Sequence, residues 1–269
     1  MRGHRHPGSP GHRHPGPLAR RNPVAKLSAA LLFALVMVAA LDPVAPAVAI
    51  AVELVALPFF GVRYRTLARQ AMPLLLAALG IVLTLILFAG ERTGSVLVAG
   101  PVPITTGVLA TALGLALRMI AVALPGIVVF ATTDPTDLAD ALIQNAKAPP
   151  RFAIGALAAF RLVPLLRQEW QSITLARRAR GLEAGRNPLA RLRLFVSTAF
   201  GLFVAAIRRG TRLAVAMDAR GFDAETPRTV ARPQRFTPAD AALIAAAAVL
   251  AGTAITVSVL LGTFRPLIG

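Results

Sequence analysis

Long uncharged apolar runs alternate with shorter basic segments along this chain. The clearest run, residues 71–90, holds no charged residue and as a helix would be about 30 Å long, the thickness of a bilayer's hydrocarbon core. The pattern predicts about five transmembrane helices, and four or six stay open because the first two runs are short. The five predicted spans lie within residues 27–41, 43–60, 71–90, 107–131 and 241–264.

Composition supports a membrane protein. Hydrophobic residues make up 56% of the 269 residues, charged residues only 15%, and the mean hydropathy is +0.67. Soluble domains carry about 25% charged residues, so a soluble globular or disordered chain is excluded. The chain has no cysteine, which excludes a disulfide scaffold and a thiolate nucleophile. The predicted fold class is an all-α integral membrane protein.

The net charge of +17 is unevenly distributed. Residues 1–26 hold six Arg/Lys and no acid, and residues 132–239 hold 17 Arg/Lys against 8 Asp/Glu, whereas residues 90–106 carry only Glu91 and Arg92. By the positive-inside rule this places the N-terminus and residues 132–239 in the cytoplasm. The prediction is a multi-pass protein of the cytoplasmic membrane, whose basic surfaces meet anionic lipid and acidic proteins rather than nucleic acid.

The first 22 residues form a predicted disordered tail. It contains a tandem octapeptide rich in Gly and Pro, which disfavour helix and sheet. All four histidines, His4, His6, His12 and His14, lie there, and two H-x-H pairs could bind a transition metal weakly. A solvated basic tail near anionic lipid is the favoured interpretation. A cleaved signal peptide is disfavoured because apolar sequence resumes at once, up to Phe60.

Residues 132–239 are too polar to span a membrane and too patterned to be a loop. Asp134-Pro135 predicts a short helix, and a longer helix over 151–180 is expected to kink at Pro164. Asn187-Pro188 predicts a third helix that ends near Arg220, and Thr237-Pro238 with Asp240 predicts the start of the last span. The organisation is therefore a tail (1–22), four transmembrane helices (23–131), a long-helix region (132–239) and a last transmembrane helix (240–269).

Two hexapeptides in the long-helix region share the pattern A-x-x-A-R-G. They run from Ala176 to Gly181 and from Ala216 to Gly221, forty residues apart, each at the end of a predicted long helix. Glycine after the last turn ends a helix in the left-handed conformation, and two alanines three residues apart leave a slim last turn. The arginine beside the glycine offers a planar fork of donors suited to a carboxylate.

These residues resemble the EcfT/CbiQ family, the transmembrane T component of energy-coupling-factor (ECF) importers. The resemblance covers most of residues 20–225 and is carried by the paired Ala-Arg-Gly motifs. The segment that begins Asn22-Pro23 resembles the family's opening D-P-R-T-K-L, with Asn for Asp and Val-Ala for Arg-Thr. Thr132–Leu138 resembles the family's T-T-x-P-x-D-L segment.

The resemblance implies a scaffold that couples two partner ATPases to a substrate-binding membrane protein. In the family the two long helices are cytoplasmic coupling helices, whose ends dock in grooves on two ABC-type ATPase subunits. A small membrane S component binds the vitamin or transition-metal ion. ATP and Mg would be bound by the ATPases, and no cofactor by this chain. The ATPase-docking residues would be Ala179, Arg180, Gly181, Ala219, Arg220 and Gly221.

Other residues match the approach to each motif or stand out within apolar runs. Those supporting the coupling helices are Arg161, Pro164, Glu169, Ala176, Arg212, Ala216 and Met217. Glu53 and Arg118 are ionisable residues inside apolar runs, where such groups usually pair or face a cavity.

Two alternatives to the importer subunit stay open. A self-sufficient permease would need polar groups converging at mid-membrane, and few occur beyond Glu53 and Arg118. An intramembrane enzyme is less favoured, because no Cys is present and all His lie in the tail. The chain also has no phosphate-binding GxxxxGK[ST] loop. No catalytic residue and no metal site are therefore predicted, and a non-catalytic subunit is favoured.

Overall fold

The computed structural model describes residues 16–40, 42–61, 64–89, 94–98, 104–182, 185, 187–222 and 229–263. The chain divides into two compact units. The membrane unit comprises residues 1–146 and 234–269, and the inserted unit comprises residues 147–233. The histidine pairs of the tail lie outside the described residues.

The fold is helical, as predicted. The membrane unit contains α1 (Pro23–Val38), α2 (Val44–Ala56) continued by a 3-10 turn (Leu57–Phe60), α3 (Tyr64–Phe88), α4 (Thr106–Thr132), α5 (Pro135–Gln144) and α8 (Pro238–Leu260). The inserted unit contains α6 (Pro150–Ala179) and α7 (Pro188–Ala219).

A small hairpin between α3 and α4 was not predicted. In it, β1 (Val96–Val98) pairs antiparallel with β2 (Ile104–Thr105). The register joins Val96 to Thr105 and Val98 to Ile104. Thr105 also caps α4, since its hydroxyl accepts a hydrogen bond from Val108 N at 3.4 Å.

Helix starts follow the predicted caps. Asp134 and Asn187 each accept backbone N–H groups of the first turn that follows them. Asp240 accepts from Thr237 N at 2.8 Å and from Thr237 Oγ1 at 2.6 Å, which ties the capping pair of α8 together. Each cap precedes a proline in the first turn, where no N–H group needs a partner.

Four helices of the described chain are long and apolar enough to cross a membrane: α3 (over Leu67–Phe88), α4, α7 and α8. Helices α1 and α2 are shorter, yet contacts at both ends of α1 fix how far it reaches. Its cap, Asn22, bonds to Asp240, and Asp42 beyond its end bonds to Ser258. Residues 240 and 258 of α8 are about 27 Å apart along the helix axis, so α1 with its turn covers nearly a bilayer core.

Contacts at one end of the membrane unit show which helix ends lie close together. Leu57 after α2 and Leu67 at the start of α3 share a buried cluster with Leu18, Leu124 and Val128. The end of α4 returns to the same level, where Lys26 bonds to the Thr132 carbonyl. The start of α1 and both connections to the inserted unit therefore lie at one end of the membrane unit. Leu18 is buried although it was assigned to the tail, so the packed core begins before residue 22.

Small side chains bring the helices of the membrane unit together. Phe33 and Met37 of α1 pack on Ala49, Ala121, Ala251 and Ala254, contributed by α2, α4 and α8. Small residues let helix backbones approach closely in a membrane. The outer surface of α3 is exposed and leucine-rich, at Leu75, Leu76, Leu79, Leu83 and Leu87, as expected for a surface in lipid.

Candidate functional site

The first Ala-Arg-Gly motif forms the C-terminus of α6. Ala179 is its last residue, Arg180 caps it, and Gly181 has a φ of 72°. Gly181 N donates to Arg178 O at 2.9 Å, and Leu182 N donates to Arg177 O at 3.0 Å. These two bonds define a Schellman motif, in which glycine takes the left-handed conformation.

The second motif repeats this geometry at the C-terminus of α7. Arg220 caps the helix with a φ of −93°, the same value as at Arg180, and Gly221 has a φ of 66°. Gly221 N donates to Asp218 O at 2.9 Å, and Phe222 N donates to Met217 O at 3.0 Å. Each long helix therefore ends in the same turn, with an arginine at the same position of it.

Both helix ends are accessible. All six Ala-Arg-Gly residues are exposed, as are Ala176 and Ala216 one turn earlier. Within the described residues neither Arg180 nor Arg220 makes a side-chain hydrogen bond or an ion pair. Two exposed cations therefore lie on slim helix ends, and a guanidinium group is suited to bind a carboxylate.

Other side chains of the inserted unit join α6 to α7. Arg177 Nη1 donates to Leu194 O at 2.9 Å and to Thr198 Oγ1 at 2.7 Å. The Trp170 and Phe195 rings lie 5.2 Å apart, and Arg209 pairs with Glu169 at 2.7 Å.

Sequence reasoning missed the bond between Arg177 and Thr198. The sequence gives only a weak indication of this bond. Arg177 lies one turn before Gly181, and Thr198 is a polar residue in the apolar middle of α7. Thr198 is only 4% exposed, so the arginine satisfies a buried hydroxyl. Arg177 holds the helix pair together and Arg180 is left exposed.

The predicted supporting residues fall into different surroundings. Glu169 makes the ion pair to Arg209, whereas Pro164, Arg161 and Arg212 are on exposed surface. Met217 is half-buried and lines a groove of about 480 Å³ between the start of α6 and the end of α7. Its walls include Gly155, Ala158, Leu162, Leu213 and Phe222.

Glu53 and Arg118 lie apart in the membrane unit. Arg118 donates to Val38 O at the end of α1, so it satisfies a carbonyl that the helix itself leaves unpaired. Glu53 lines a cavity of about 270 Å³ between α1, α2, α4 and α8. Both of its carboxyl oxygens are buried without a hydrogen-bond partner among the described residues.

Replacing Glu53 with methionine is expected to stabilise the chain. An unsatisfied buried polar group costs about 1–3 kcal/mol, and methionine would fill the same apolar space. For a chain of this size we expect a rise in Tm of about 2–4 °C per kcal/mol, measured by thermal unfolding in detergent. The matched control is Glu53→Gln, which keeps the shape and the polarity and should change Tm little. A fall in Tm with Glu53→Met would show that the carboxyl is used.

Replacing Arg177 with methionine is expected to loosen the helix pair. The change removes two hydrogen bonds from a charged donor, worth about 1.5–3 kcal/mol each, and leaves Thr198 Oγ1 without that donor. Proteolysis of the inserted unit should become faster, while Arg180→Met, which removes an exposed cation from the same helix end, should leave it unchanged. Equal proteolysis rates for the two variants would contradict the assignment of Arg177.

No group of three His, Asp or Glu side chains able to hold a metal ion occurs in the described part of the chain. The candidate functional site consists of the two long helices of the inserted unit, each ending in an exposed arginine.

Comparison with known proteins identifies the family of this chain. A family model described as cobalt transport protein, CbiQ, matches residues 16–230. The energy-coupling factor transporter transmembrane protein EcfT of Limosilactobacillus fermentum is 36% identical over 138 residues, 48% of this chain and 52% of the relative. EcfT of Staphylococcus aureus is 32% identical over 140 residues, 49% of this chain and 52% of the relative.

A longer match is found with EcfT of Thermosediminibacter oceani. It is 31% identical over 200 residues, 71% of this chain and 74% of the relative. Against the L. fermentum and S. aureus relatives the chain spans about half of their length. The family match begins at Gly16 and takes in both helix ends of the candidate site, so this chain belongs to the EcfT/CbiQ family of transporter transmembrane proteins.

Proposed function

We propose that this chain is the transmembrane scaffold subunit of an ECF-type importer. It would couple ATP hydrolysis by two partner ATPases to movement of a substrate-binding S component, for uptake of a vitamin or a transition-metal ion. The observation that carries the proposal is the repeated helix end: two Schellman turns, each presenting an exposed arginine beside a glycine. Two equivalent ends suit two equivalent or similar partner subunits.

The charge distribution supports a cytoplasmic position for these helix ends. The start of α1 and both connections to the inserted unit lie at one end of the membrane unit, and the basic residues concentrate in the same parts of the sequence. By the positive-inside rule, this distribution supports a position of α6 and α7 on the ATP side of the membrane. ATP and Mg would be bound by the ATPases, and this chain would act without catalysis.

An apolar surface of α7 supports a second, membrane-embedded partner. Five side chains that are each more than half exposed follow one another at helical spacing, Leu192, Val196, Phe200, Phe203 and Ile207. We call this set the apolar stripe. Exposed apolar patches of this kind mark protein or membrane contacts, and we assign it to the S component.

A self-sufficient permease is the second candidate, because the cavity beside Glu53 offers a polar group within the membrane unit. Co-purification separates the two. The chain is tagged, extracted in mild detergent and analysed by mass spectrometry for associated proteins. An ABC-type ATPase together with a small apolar membrane protein supports the importer subunit. A chain that purifies alone and binds a solute by itself would establish the permease instead.

A further inference from the structure

The first turn of α1 is bonded to two distant parts of the chain. Asn22 N donates to Asp240 Oδ1 at 2.9 Å across 218 residues, and Lys26 Nζ donates to Thr132 O at 2.9 Å across 106 residues. We call Asn22, Lys26, Thr132 and Asp240 the α1 clamp. It joins the start of α1, the end of α4 and the start of α8.

The clamp is buried and charged. Asn22, Lys26 and Asp240 are 5%, 2% and 1% exposed. The Asp240 carboxylate accepts two further hydrogen bonds from Thr237, and the Lys26 ammonium is within electrostatic reach of Asp137 and Asp240. Breaking one partner of such a set leaves a buried charge without full compensation. The three segments are therefore held in fixed positions relative to one another.

The clamp also lies where the membrane unit connects to the inserted unit. Thr132 ends the last membrane helix before the inserted unit, and Thr237 caps the helix that follows that unit. The two connections are also joined to each other, since Gln234 N donates to Gln144 Oε1 at 2.8 Å. Along the covalent chain, a displacement of the inserted unit reaches the membrane helices only through these two connections.

We propose that the α1 clamp is the mechanical anchor through which displacement of α6 and α7 is delivered to the membrane helices. The proposal rests on the proposed coupling function. Lys26 and Asp240 are positioning residues in it, because they fix the two connections to α1. Without these two side chains the connections would move independently of α1, and ATP would be hydrolysed with little movement of the membrane helices.

The opposite end of the same helices supplies a matched control. Asp42 is 2% exposed and accepts hydrogen bonds from Ala45 N at 2.8 Å and Ser258 Oγ at 2.7 Å. It therefore pins α1 to α8 as Asp240 does, with a similarly buried carboxylate. It touches neither connection to the inserted unit. Asp42→Ala reports the cost of losing a buried charged group at the other end of α1. Lys26→Met and Asp240→Ala each remove a buried charged group and the anchor together.

The first measurement is coupling in the assembled transporter. The co-purified complex is placed in liposomes, and labelled Co²⁺, Ni²⁺, biotin and thiamin are supplied to find the solute that the wild-type complex takes up. Solute uptake and ATP hydrolysis are then measured on the same liposomes. For Lys26→Met and Asp240→Ala we expect uptake per ATP hydrolysed to fall about tenfold, within the range of measured couplings between sites. Asp42→Ala should keep the wild-type ratio.

The second measurement needs no partner. Because the chain has no cysteine, spin labels can be placed at Ser95→Cys in the membrane unit and Ser197→Cys in the inserted unit. Pulsed electron resonance on the full chain in nanodiscs then gives the distribution of distances between the labels. The clamp variants should broaden this distribution, and Asp42→Ala should leave its width unchanged.

Three results would overturn the proposal. They are clamp variants with the wild-type uptake ratio, an equal fall of that ratio in Asp42→Ala, and a wild-type distance distribution as broad as that of the clamp variants. A wild-type chain that recovers no ATPase would instead refute the proposed function, and the widths of the distance distributions would then decide the clamp alone.

Discussion

Arg180→Glu and Arg220→Glu are each expected to abolish uptake while membrane insertion stays intact. Each arginine caps an exposed helix end whose backbone bonds are already complete, so the substitution changes the charge of the end and leaves its shape. Docking into an acidic groove would bury the guanidinium, and truncating one partner of such a pair costs about 2–5 kcal/mol. Reversing the charge adds repulsion to that loss.

The measurement is recovery of the ATPase with the tagged chain, together with uptake in cells. Each variant should lose most of the ATPase and retain a normal amount of chain in the membrane. Arg208→Glu is the matched control, because Arg208 is an exposed arginine of α7 that lies well before the helix end. Normal uptake by either Arg180→Glu or Arg220→Glu would disprove the docking assignment, and so would an equal loss in the Arg208→Glu control.

Local features of the fold could be predicted because their causes lie within a few residues. Asp134, Asn187 and Thr237 begin helices through side-chain caps that bond two or three residues ahead. Gly181 and Gly221 end helices because only glycine adopts a positive φ without strain. The same reasoning located both candidate helix ends, and the two arginines follow directly from it.

Long-range polar pairs could not be predicted. Asp42 with Ser258 and Asn22 with Asp240 are separated by more than 200 residues, and no spacing rule connects them. Hydropathy also underestimates how far α1 reaches along the membrane unit. It does not show that the buried Asp42 carboxylate closes the turn after α1 and bonds it to α8. Arg118 is a related case: its role is set by the Val38 carbonyl at the end of another helix.

The candidate site also has a part that could be predicted from the sequence and a part that could not. Its two ends could be predicted from six residues each, whereas the side chains that hold them in one unit could not. Arg177 and Arg180 belong to the same arginine-rich turn and are chemically identical, but only Arg177 has a buried hydroxyl opposite it. Which arginine binds within the chain and which is left for a partner depends on α7, which begins eight residues after Arg180.

Replacing Phe200 and Phe203 together with aspartate is expected to release the S component while the ATPases stay bound. Both rings belong to the apolar stripe and are 67% and 62% exposed, so the change creates no cavity in the chain itself. Buried aromatic side chains are frequent binding hot spots, and truncating one costs about 2–4 kcal/mol or more. Two carboxylates in the same interface would also be left without partners.

This variant and the arginine variants test different surfaces of one unit, and each is the control for the other. After co-purification, Phe200→Asp/Phe203→Asp should recover ATPase without the small apolar protein, and Arg180→Glu should recover the small apolar protein with little ATPase. Uptake should be lost in both, because the proposed coupling needs both partners on the same pair of helices. Loss of both partners in the phenylalanine variant would instead indicate that the stripe packs within the chain or inserts in lipid, and the S component would then have to bind elsewhere.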